Sequence, residues 1–357
     1  MEFLGSLHNH TMYSNLKLRD SIIRPEELID YAIELGQEVI AITEHETICN
    51  ALKVEKYYNK IKEKNPEFKV IFGNEIYLCR DGLNGQNFDK ETDRYYHFIL
   101  LAKNAEGHRQ IRELSTRAWN RSYVTSKMRR VPTYYQDLLD VVATNPGNII
   151  AATACLGGFL DTKILQWVRN GRDSNFYQQI ISWIYQMENI FGKGNFFLEL
   201  QPSNTEDQII VNKELLILSE KTGVPYIITT DTHYLKKEDA PIHEAFLKSQ
   251  DGDREVASFY ESTYLMGTEE IEKYLSYLTR EQLDKAYENI SSIKNVCEDY
   301  SFRKPLKIPT LITRKYTSTI AEVESFYDRI PYLKTFMESN FEGNRIMCHL
   351  IIDKLKK

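Results

Sequence analysis

A regular alternation of short β-rich runs with helical stretches constrains the fold most, and it continues from the N-terminus to Tyr234. Strands are predicted over residues 3–7, 38–43, 70–76, 98–102, 149–153, 196–200 and 226–230. Alternation of this kind predicts a mostly parallel sheet with helices outside it, and seven strands favour an α/β barrel.

The first connection between strands carries the clearest helix signal. Pro25 suits the first turn, Glu26 and Glu27 favour its positive end, and Gly36 ends it. Further helices are predicted over residues 105–119, 174–191, 207–223, 269–277 and 280–300. A KPLKIP segment bracketed by Pro305 and Pro309 predicts an extended linker. We therefore predict one domain over residues 1–304 and a linker with a helical tail over residues 305–357.

Composition restricts the class of protein. The chain has 357 residues, of which 42% are apolar and 27% are charged. It contains no run of about 18 apolar residues, so no membrane-spanning helix is expected. No signal peptide is recognised at the N-terminus, and the five cysteines are scattered and odd in number. These features favour a reducing compartment, and a cytoplasmic protein is expected.

Side chains of the metal-binding types cluster at the predicted strand ends. His-x-His follows the first strand, Asp-x-His follows the last, and single ligands accompany the strands between them. The nine candidate ligands are His8, His10, Asp20, His45, Glu75, His97, Cys155, Asp231 and His233. Each is more often structural when it occurs alone. Their coincidence at the rim where catalytic groups of α/β barrels meet predicts a metal site.

Nine nitrogen, oxygen and sulfur ligands are too many for one tetrahedral zinc ion. They fit two or three divalent ions that share a bridging carboxylate. The histidine and cysteine content favours zinc, with manganese or iron as alternatives. Clustered divalent ions suit phosphoester hydrolysis, because they activate water and offset charge on the phosphate.

A basic segment suggests a nucleic-acid partner despite the net charge of −6. Candidate phosphate contacts are Arg121, Lys127, Arg129 and Arg130, and aromatic residues such as Tyr123 and Tyr134 are interleaved with them. Basic groups and aromatic faces together are typical of a single-strand track. A solvated helix followed by a loop is the alternative interpretation.

The ordered motifs LHNHTMYS, AITEHET, IFGNEIYL, YYHFILLAKN, ATACLGG, FLELQ and TTDTHYL resemble the PHP (polymerase and histidinol phosphatase) domain. More narrowly, they resemble the version at the N-terminus of the bacterial DNA polymerase III alpha subunit. The resemblance covers residues 1–305 and implies a distorted seven-stranded (βα) barrel. One visible departure is Glu44, where the family usually has Asp.

The resemblance also implies how the nine ligands divide. His8, His10, Glu75 and Asp231 would bind one metal ion. Glu75 would bridge to a second ion, held by His97 and Cys155. Asp20, His45 and His233 would hold a third.

The function expected from these features is a metal-dependent phosphoesterase. Its most specific form is a 3′→5′ exonuclease on single-stranded DNA or a primer 3′ end, with Asp231 and His233 as candidate catalytic residues. Polymerase or replisome subunits are the expected protein partners. A small-molecule phosphatase of the histidinol-phosphate type and a non-catalytic, metal-stabilised scaffold are the alternatives.

No polymerase active site is predicted in this chain. Nucleotidyl transfer needs closely spaced carboxylates that hold magnesium ions, together with a phosphate cradle. The Asp251-Gly252-Asp253 segment has no such cradle and is interpreted as a turn.

Overall fold

A curled sheet of seven strands organises the computed structural model, which describes residues 1–16, 19–89, 91–125, 128–249, 258–302 and 315–356. The strands are β1 (Val39–Ile42), β2 (Lys69–Cys79), β3 (Tyr96–Ala102), β4 (Tyr123–Val124), β5 (Arg129–Arg130), β6 (Pro132–Tyr134), β7 (Ile149–Ala152), β8 (Phe196–Leu200) and β9 (Tyr226–Ile228). The main sheet has the order β1-β2-β3-β7-β8-β9, with β6 on β2, while β4 and β5 form a separate hairpin. The predicted α/β barrel is thus confirmed.

Helices occupy most of the connections. They are α1 (Pro25–Glu34), α2 (Ala51–Lys62), α3 (Ala105–Asn120), α4 (Tyr135–Leu138), α5 (Phe159–Arg169), α6 (Ser174–Phe191), α7 (Glu206–Thr222), α8 (Ala240–Lys248), α9 (Thr268–Tyr274), α10 (Arg280–Val296), α11 (Ile320–Glu324), α12 (Tyr332–Met337) and α13 (Glu342–Leu355). Within the described part of the chain, none of them has the length and apolar character that a bilayer crossing requires.

The N-terminal segment completes the barrel without forming the regular strand predicted over residues 3–7. The carbonyls of Leu4 and Ser6 accept hydrogen bonds from Val39 and Ala41, and residue 9 bridges to residue 232 on the other side. A Cβ atom at Gly5 would lie 1.7 Å from the Val39 carbonyl oxygen. Glycine therefore permits the close approach that joins this segment to β1.

One strand departs from the predicted parallel arrangement. β3 runs antiparallel to both β2 and β7, whereas β1 pairs with β2, β7 with β8, and β8 with β9 in parallel. The described residues between β2 and β3 contain no helix, and β3 returns directly along its neighbour. The reversal puts the amino end of β3, and with it His97, at the rim where the parallel strands have their carboxyl ends.

A second departure concerns Glu75, which the sequence placed at the end of its strand. β2 continues to Cys79, so Glu75 lies inside the strand, opposite Ile99. The extension is stabilised by pairing on both sides, because residues 77–79 also pair with β6. Glu75 thereby faces the middle of the rim.

The chain divides into two compact units, Met1–Phe302 and Arg303–Lys357. The main core lies between the sheet and the helices around it, with Phe98, Phe191 and Phe196 among its fully buried side chains. The second unit contains α11, α12 and α13 around a small core of Val323, Leu333, Cys348 and Ile352. The predicted linker and the Asp251–Asp253 segment lie outside the described residues.

Candidate metal centre

The nine predicted ligand residues meet at one rim of the barrel. Loops after the N-terminal segment, β1, β7 and β9 supply seven of them, and β2 and β3 supply Glu75 and His97. Eight are buried, while the His97 side chain is 27% exposed. Distant parts of the sequence therefore form one cluster that opens to solvent beside His97.

Glu75 lies between four imidazole rings. Its Oε2 atom is 2.5 Å from Nδ1 of His45 and 3.4 Å from Nε2 of His10. Its Oε1 atom is 2.8 Å from Nδ1 of His97 and 3.6 Å from Nε2 of His8. The Glu75 carboxylate thus contacts candidate ligands of all three predicted metal ions, as a bridging carboxylate must.

Asp231 contacts the same nitrogen atoms of the first histidine pair as Glu75 does. Its Oδ1 atom lies 3.2 Å from Nε2 of His8 and 3.3 Å from Nε2 of His10. Cys155 lies at the other end of the cluster, with its Sγ atom 3.4 Å from Nδ1 of His97. Asp231 and Cys155 thus lie next to the histidines with which the resemblance groups them.

Asp20 joins the remaining two histidines. Its Oδ2 atom lies 2.6 Å from Nε2 of His45 and 2.9 Å from Nε2 of His233. The Tyr260 hydroxyl donates to Oδ1 at 2.9 Å, and the ring of His243 contacts the Asp20 carbonyl oxygen at 2.5 Å. These two contacts hold the acidic side chain toward the rim.

The ligand atoms have the arrangement of a metal site. Three sets of them lie within 4.8 Å of one another: His8, His10 and Glu75; Glu75, His97 and Cys155; and His10, His45 and His233. Both oxygens of Glu75, Oδ1 of Asp231 and Nδ1 of His45 are buried, and no described group makes a hydrogen bond of good geometry to them. Buried polar atoms are normally satisfied. Atoms that converge without bonding to one another fit divalent ions held between them.

Glu199 fixes the orientation of His8 from behind. Its Oε1 atom lies 2.6 Å from Nδ1 of His8, and it also accepts hydrogen bonds from Thr229 and Gln201. Nδ1 of His8 therefore donates to Glu199, and Nε2 is the nitrogen that faces the cluster and becomes free to bind an ion when it loses its proton. A carboxylate in this position orients the imidazole and increases its basicity as a ligand.

Ser14 and Glu44 orient His10 in the same way. Ser14 Oγ lies 3.0 Å from Nδ1 of His10 and donates to Glu44 at 2.6 Å, so it accepts a hydrogen bond from the Nδ1–H group of His10. Glu44 also accepts from Thr11 and Asn50. The longer side chain at position 44 thus supports His10 through Ser14.

Electrostatics differ sharply between neighbouring ligands in the metal-free protein. Burial opposes protonation of His8, but Asp231, Glu199 and Glu75 outweigh it and raise the pKa of His8 to about 10. Burial and the adjacent His45 lower the pKa of His10 to about 3. Burial, followed by the charges of Asp231 and Glu75, raises the pKa of the Cys155 thiol well above its usual value.

The backbone is strained beside the cluster. Glu46, Ala154 and Asp231 have φ angles of 54°, 62° and 45°, in the left-handed region that glycine favours. Each such residue costs on the order of 1–3 kcal/mol and persists only where the surrounding structure requires it. Glu46 follows His45 and Ala154 precedes Cys155 in the sequence, so the strain coincides with sharp turns that direct ligands toward the rim.

A cavity of about 260 Å³ opens above the ligands. Its lining includes candidate ligands such as His45, His97 and Asp231, together with Tyr95, Met128 and Arg130. Of the predicted DNA-binding residues that the structure describes, Arg130 alone lines it.

The other predicted DNA contacts lie elsewhere. Arg121 forms a two-nitrogen pair with the Asp137 carboxylate and packs over the Tyr134 ring. Arg129 is exposed and donates to the Ser122 hydroxyl. Lys127 lies outside the described residues. Among the described members of the predicted set, the structure therefore brings only Arg130 to the cluster.

Sequence reasoning missed several contributors to the site. In the sequence Glu199 stands out only as part of the FLELQ motif, although a carboxylate inside a fully buried strand requires a polar partner. Ser14, Tyr95 and Tyr260 lie in loops or short turns, where no periodic pattern marks them. Their roles follow only from the folded positions of residues that are far apart in the chain.

Comparison with known proteins decides the family. The model of the PHP domain matches residues 6–203 of this chain. The chain belongs to the PHP domain family. The resemblance predicted from the ordered motifs is therefore confirmed, and the curled sheet with its rim of histidines and carboxylates is the fold of a PHP domain.

Relatives of this PHP domain include much longer polymerases. The DNA-directed DNA polymerase of Bacillus phage SPbeta is 36% identical over 97% of this chain and 27% of its own length. The DNA polymerase III subunit alpha of Treponema pallidum is 28% identical over 69% of this chain and 19% of its own length. An amidohydrolase structure from Chromobacterium violaceum aligns with a TM-score of 0.38 at 12% identity, covering 64% of this chain and 87% of that one. The chain thus spans about a quarter or less of these polymerase relatives.

Proposed function

We propose that this PHP domain is a metal-dependent phosphoesterase that acts on DNA and removes nucleotides from a 3′ end. The observation that carries the proposal is a cavity lined by Arg130 and by six of the nine candidate ligands: Asp20, His45, His97, Cys155, Asp231 and His233. Ligand atoms of His10 and Glu75 lie within 4.8 Å of those of lining residues, and those of His8 lie within 4.8 Å of those of His10 and Glu75. A phosphate ester is the substrate class that such a pairing of ligands and guanidinium suits, because both can offset phosphate charge.

The proposed cofactor is a set of two to three divalent ions. The cysteine and the histidines favour zinc, with manganese or iron as alternatives. His8, His10, Glu75 and Asp231 would hold one ion, and Glu75, His97 and Cys155 a second. A third would lie among Asp20, His45 and His233. Bound ions of this kind lower the pKa of water and stabilise charge that develops on the phosphate oxygens.

The chain's own residues would orient the substrate and manage protons. Arg130 faces the cavity and can bind a phosphate oxygen with its planar guanidinium. Nδ1 of His233 lies 2.7 Å from the Asp231 carbonyl oxygen, so its remaining nitrogen faces Asp20. This geometry favours His233 as a ligand. Asp231 is then the stronger candidate, of the two predicted catalytic residues, to accept a proton at the rim.

DNA as the substrate is supported by the relatives. Two proteins that are similar in sequence to this chain are named as DNA polymerases. A strand-shortening activity, and binding to a polymerase or another replisome subunit, would suit a domain of such proteins. The small-molecule phosphatase remains an alternative that the experiment below separates from a nuclease.

The test uses the full chain loaded with zinc, manganese or iron and a 5′-labelled single-stranded DNA. We expect stepwise shortening from the 3′ end, and loss of it by at least 100-fold in Asp231→Asn. Asparagine tolerates the left-handed backbone at position 231, so this variant should fold. Asp328→Asn, at an exposed position in the helical tail, is the matched control and should retain activity.

Two results would contradict the proposal. Turnover of histidinol phosphate without DNA shortening would establish the small-molecule phosphatase. Bound metal with no hydrolysis of either substrate from pH 6 to 9 would leave only the scaffold role.

A further inference from the structure

An aromatic–arginine strip, consisting of Phe88, Tyr95 and Arg130, borders the metal cavity. The rings of Phe88 and Tyr95 stack with centroids 5.7 Å apart and an interplanar angle of 11°. The Arg130 guanidinium carbon lies 4.8 Å from the centre of the Tyr95 ring. Tyr95 and Arg130 line the cavity, and Phe88 is 37% exposed. The strip therefore leads from the metal ligands to the protein surface.

Two separate segments are held together to form this strip. Phe88 and Tyr95 come from the connection between β2 and β3, and Arg130 comes from β5 of the hairpin. The Tyr95 and Tyr123 hydroxyls form a hydrogen bond across the two segments. A Cβ atom at Gly85 would lie 2.8 Å from the Tyr123 ring, so glycine lets the connection lie close against the hairpin.

No carboxylate in the described part of the chain forms an ion pair with Arg130. Among the described residues, no ion pair involves Arg130, whereas Arg121 pairs with Asp137 and Arg117 pairs with Glu113 and Asp140. A guanidinium that faces a cavity without an acidic partner is available to bind an anion. Its stacking on Tyr95 fixes its plane.

The size of the cavity limits what it can hold. Its volume of about 260 Å³ is below the roughly 300–1,000 Å³ of pockets that enclose small ligands. The cavity can therefore hold the reacting phosphate and its immediate neighbours, and a longer strand must leave across the rim. The aromatic–arginine strip offers such a path, with an exposed ring face at its outer end.

We infer that the aromatic–arginine strip binds the single-stranded end of DNA next to the metal cluster. Arg130 binds a backbone phosphate close to the scissile one, and Phe88 stacks on an adjacent base. This inference rests on the proposed function, since it specifies the substrate of the same site. The strip selects single strands over duplexes, because a base inside a duplex is already stacked on both faces and cannot lie against Phe88.

Binding is measured separately from hydrolysis. A fluorescein-labelled oligothymidine is titrated with the full chain in EDTA, and its anisotropy is followed at several salt concentrations. Phe88→Ala should weaken binding about tenfold without changing the salt dependence, because base stacking contributes roughly 1–3 kcal/mol. Phe88→Trp, which keeps an aromatic ring at this position, should bind as tightly as the wild type. Arg130→Gln should weaken binding about tenfold and reduce the slope of log K against log salt by about 0.7.

Matched controls come from the same hairpin and from a distant helix. Arg129 neighbours Arg130 on β5, and successive strand residues point to opposite faces, so Arg129→Gln should change binding less than twofold. Tyr185, on α6 and 41% exposed, provides an aromatic control as Tyr185→Ala. Melting temperatures of all variants show whether they remain folded.

The outcomes separate this inference from the proposed function. No binding of oligothymidine by the wild type, unchanged binding in Phe88→Ala and Arg130→Gln, or equal losses in Arg129→Gln would overturn the inference, even if DNA were shortened. The expected binding losses in a protein that hydrolyses nothing would support the inference and reject the nuclease. Equal affinity for duplex and single-stranded DNA would also overturn it.

Discussion

The Glu199 carboxylate lies 2.6 Å from Nδ1 of His8, on the opposite side of the imidazole from the ligand cluster. Because the pair is fully buried, water cannot replace the carboxylate if it is removed. The contact therefore controls which nitrogen of His8 is free to bind a metal ion. Glu199 is a positioning residue for the first histidine pair.

Glu199→Gln is expected to weaken metal binding by roughly 10- to 100-fold, because the histidine loses its charged hydrogen-bond partner. Competition with a chromogenic chelator measures the affinity for zinc. Glu220→Gln, at an exposed position on α7, is the control and should bind zinc as the wild type does. Equal zinc affinity in Glu199→Gln and the wild type would show that Glu199 does not position His8.

Most strands and the assembly of the candidate ligands could be predicted from the sequence, because they depend on the apolar runs and on the ligand-type residues next to them. Apolar runs identified most strands, and β8 has the predicted bounds of 196–200. The nine candidate ligand residues lie near those runs in the sequence, so the barrel predicts that they assemble at one rim. What the pattern could not show is strand direction. His97 reaches the rim because β3 is antiparallel, and Glu75 because β2 extends beyond it.

The contacts that support the ligands could not be predicted from the sequence, for a different reason. Glu199 and His8 are 191 residues apart, and no local signal connects them. Phe88 and Tyr95 belong to an irregular connection whose position depends on packing against the hairpin. Single-sequence reasoning identifies residues that share a periodic element, whereas these contacts depend on tertiary structure.

Glu44→Gln is expected to destabilise the metal-free protein by about 1–3 kcal/mol, because an amide would present a donor where buried donors already point. The buried Glu44 carboxylate accepts from Thr11, Ser14 and Asn50. Urea denaturation in EDTA measures the change in free energy of unfolding. Glu63→Gln, at an exposed position after α2, controls for the loss of one charge. A stability change as small in Glu44→Gln as in Glu63→Gln would contradict the proposed network.

Metal uptake is expected to release protons and to strengthen as pH rises from 6 to 9. Ligands must be deprotonated to bind, yet the pKa of His8 is about 10 and that of Cys155 lies well above its usual value. Calorimetric titration with zinc in two buffers of different ionisation enthalpy counts the protons. Cys155→Ser should release fewer protons than the wild type. Identical heats in both buffers would contradict the expectation.

The raised pKa of His8 makes the metal-free protein less stable as pH rises, whereas metal binding strengthens as pH rises. A pKa raised from 6.5 to about 10 in the folded state means that His8 contributes stability fully below pH 6.5 and loses it as pH rises through 10. In EDTA, melting temperature should therefore fall less steeply over this range in His8→Gln than in the wild type. Parallel curves for the two proteins would show that His8 is not protonated in the metal-free state.

Asp161→Asn is expected to stabilise the protein at pH 8. Asp161 is fully buried, and no described group donates a hydrogen bond to its carboxylate. Burial, followed by the charge of Glu199, raises its pKa well above the usual value. A raised folded-state pKa gives stability below about pH 4 that is lost as pH rises through the folded value. An amide avoids that loss, so the melting temperature of the variant should exceed that of the wild type at pH 8, and the difference should shrink at pH 5. Glu220→Gln again controls for the change of charge. An Asp161→Asn variant that is less stable than the wild type at both pH values would show that a partner stabilises the carboxylate.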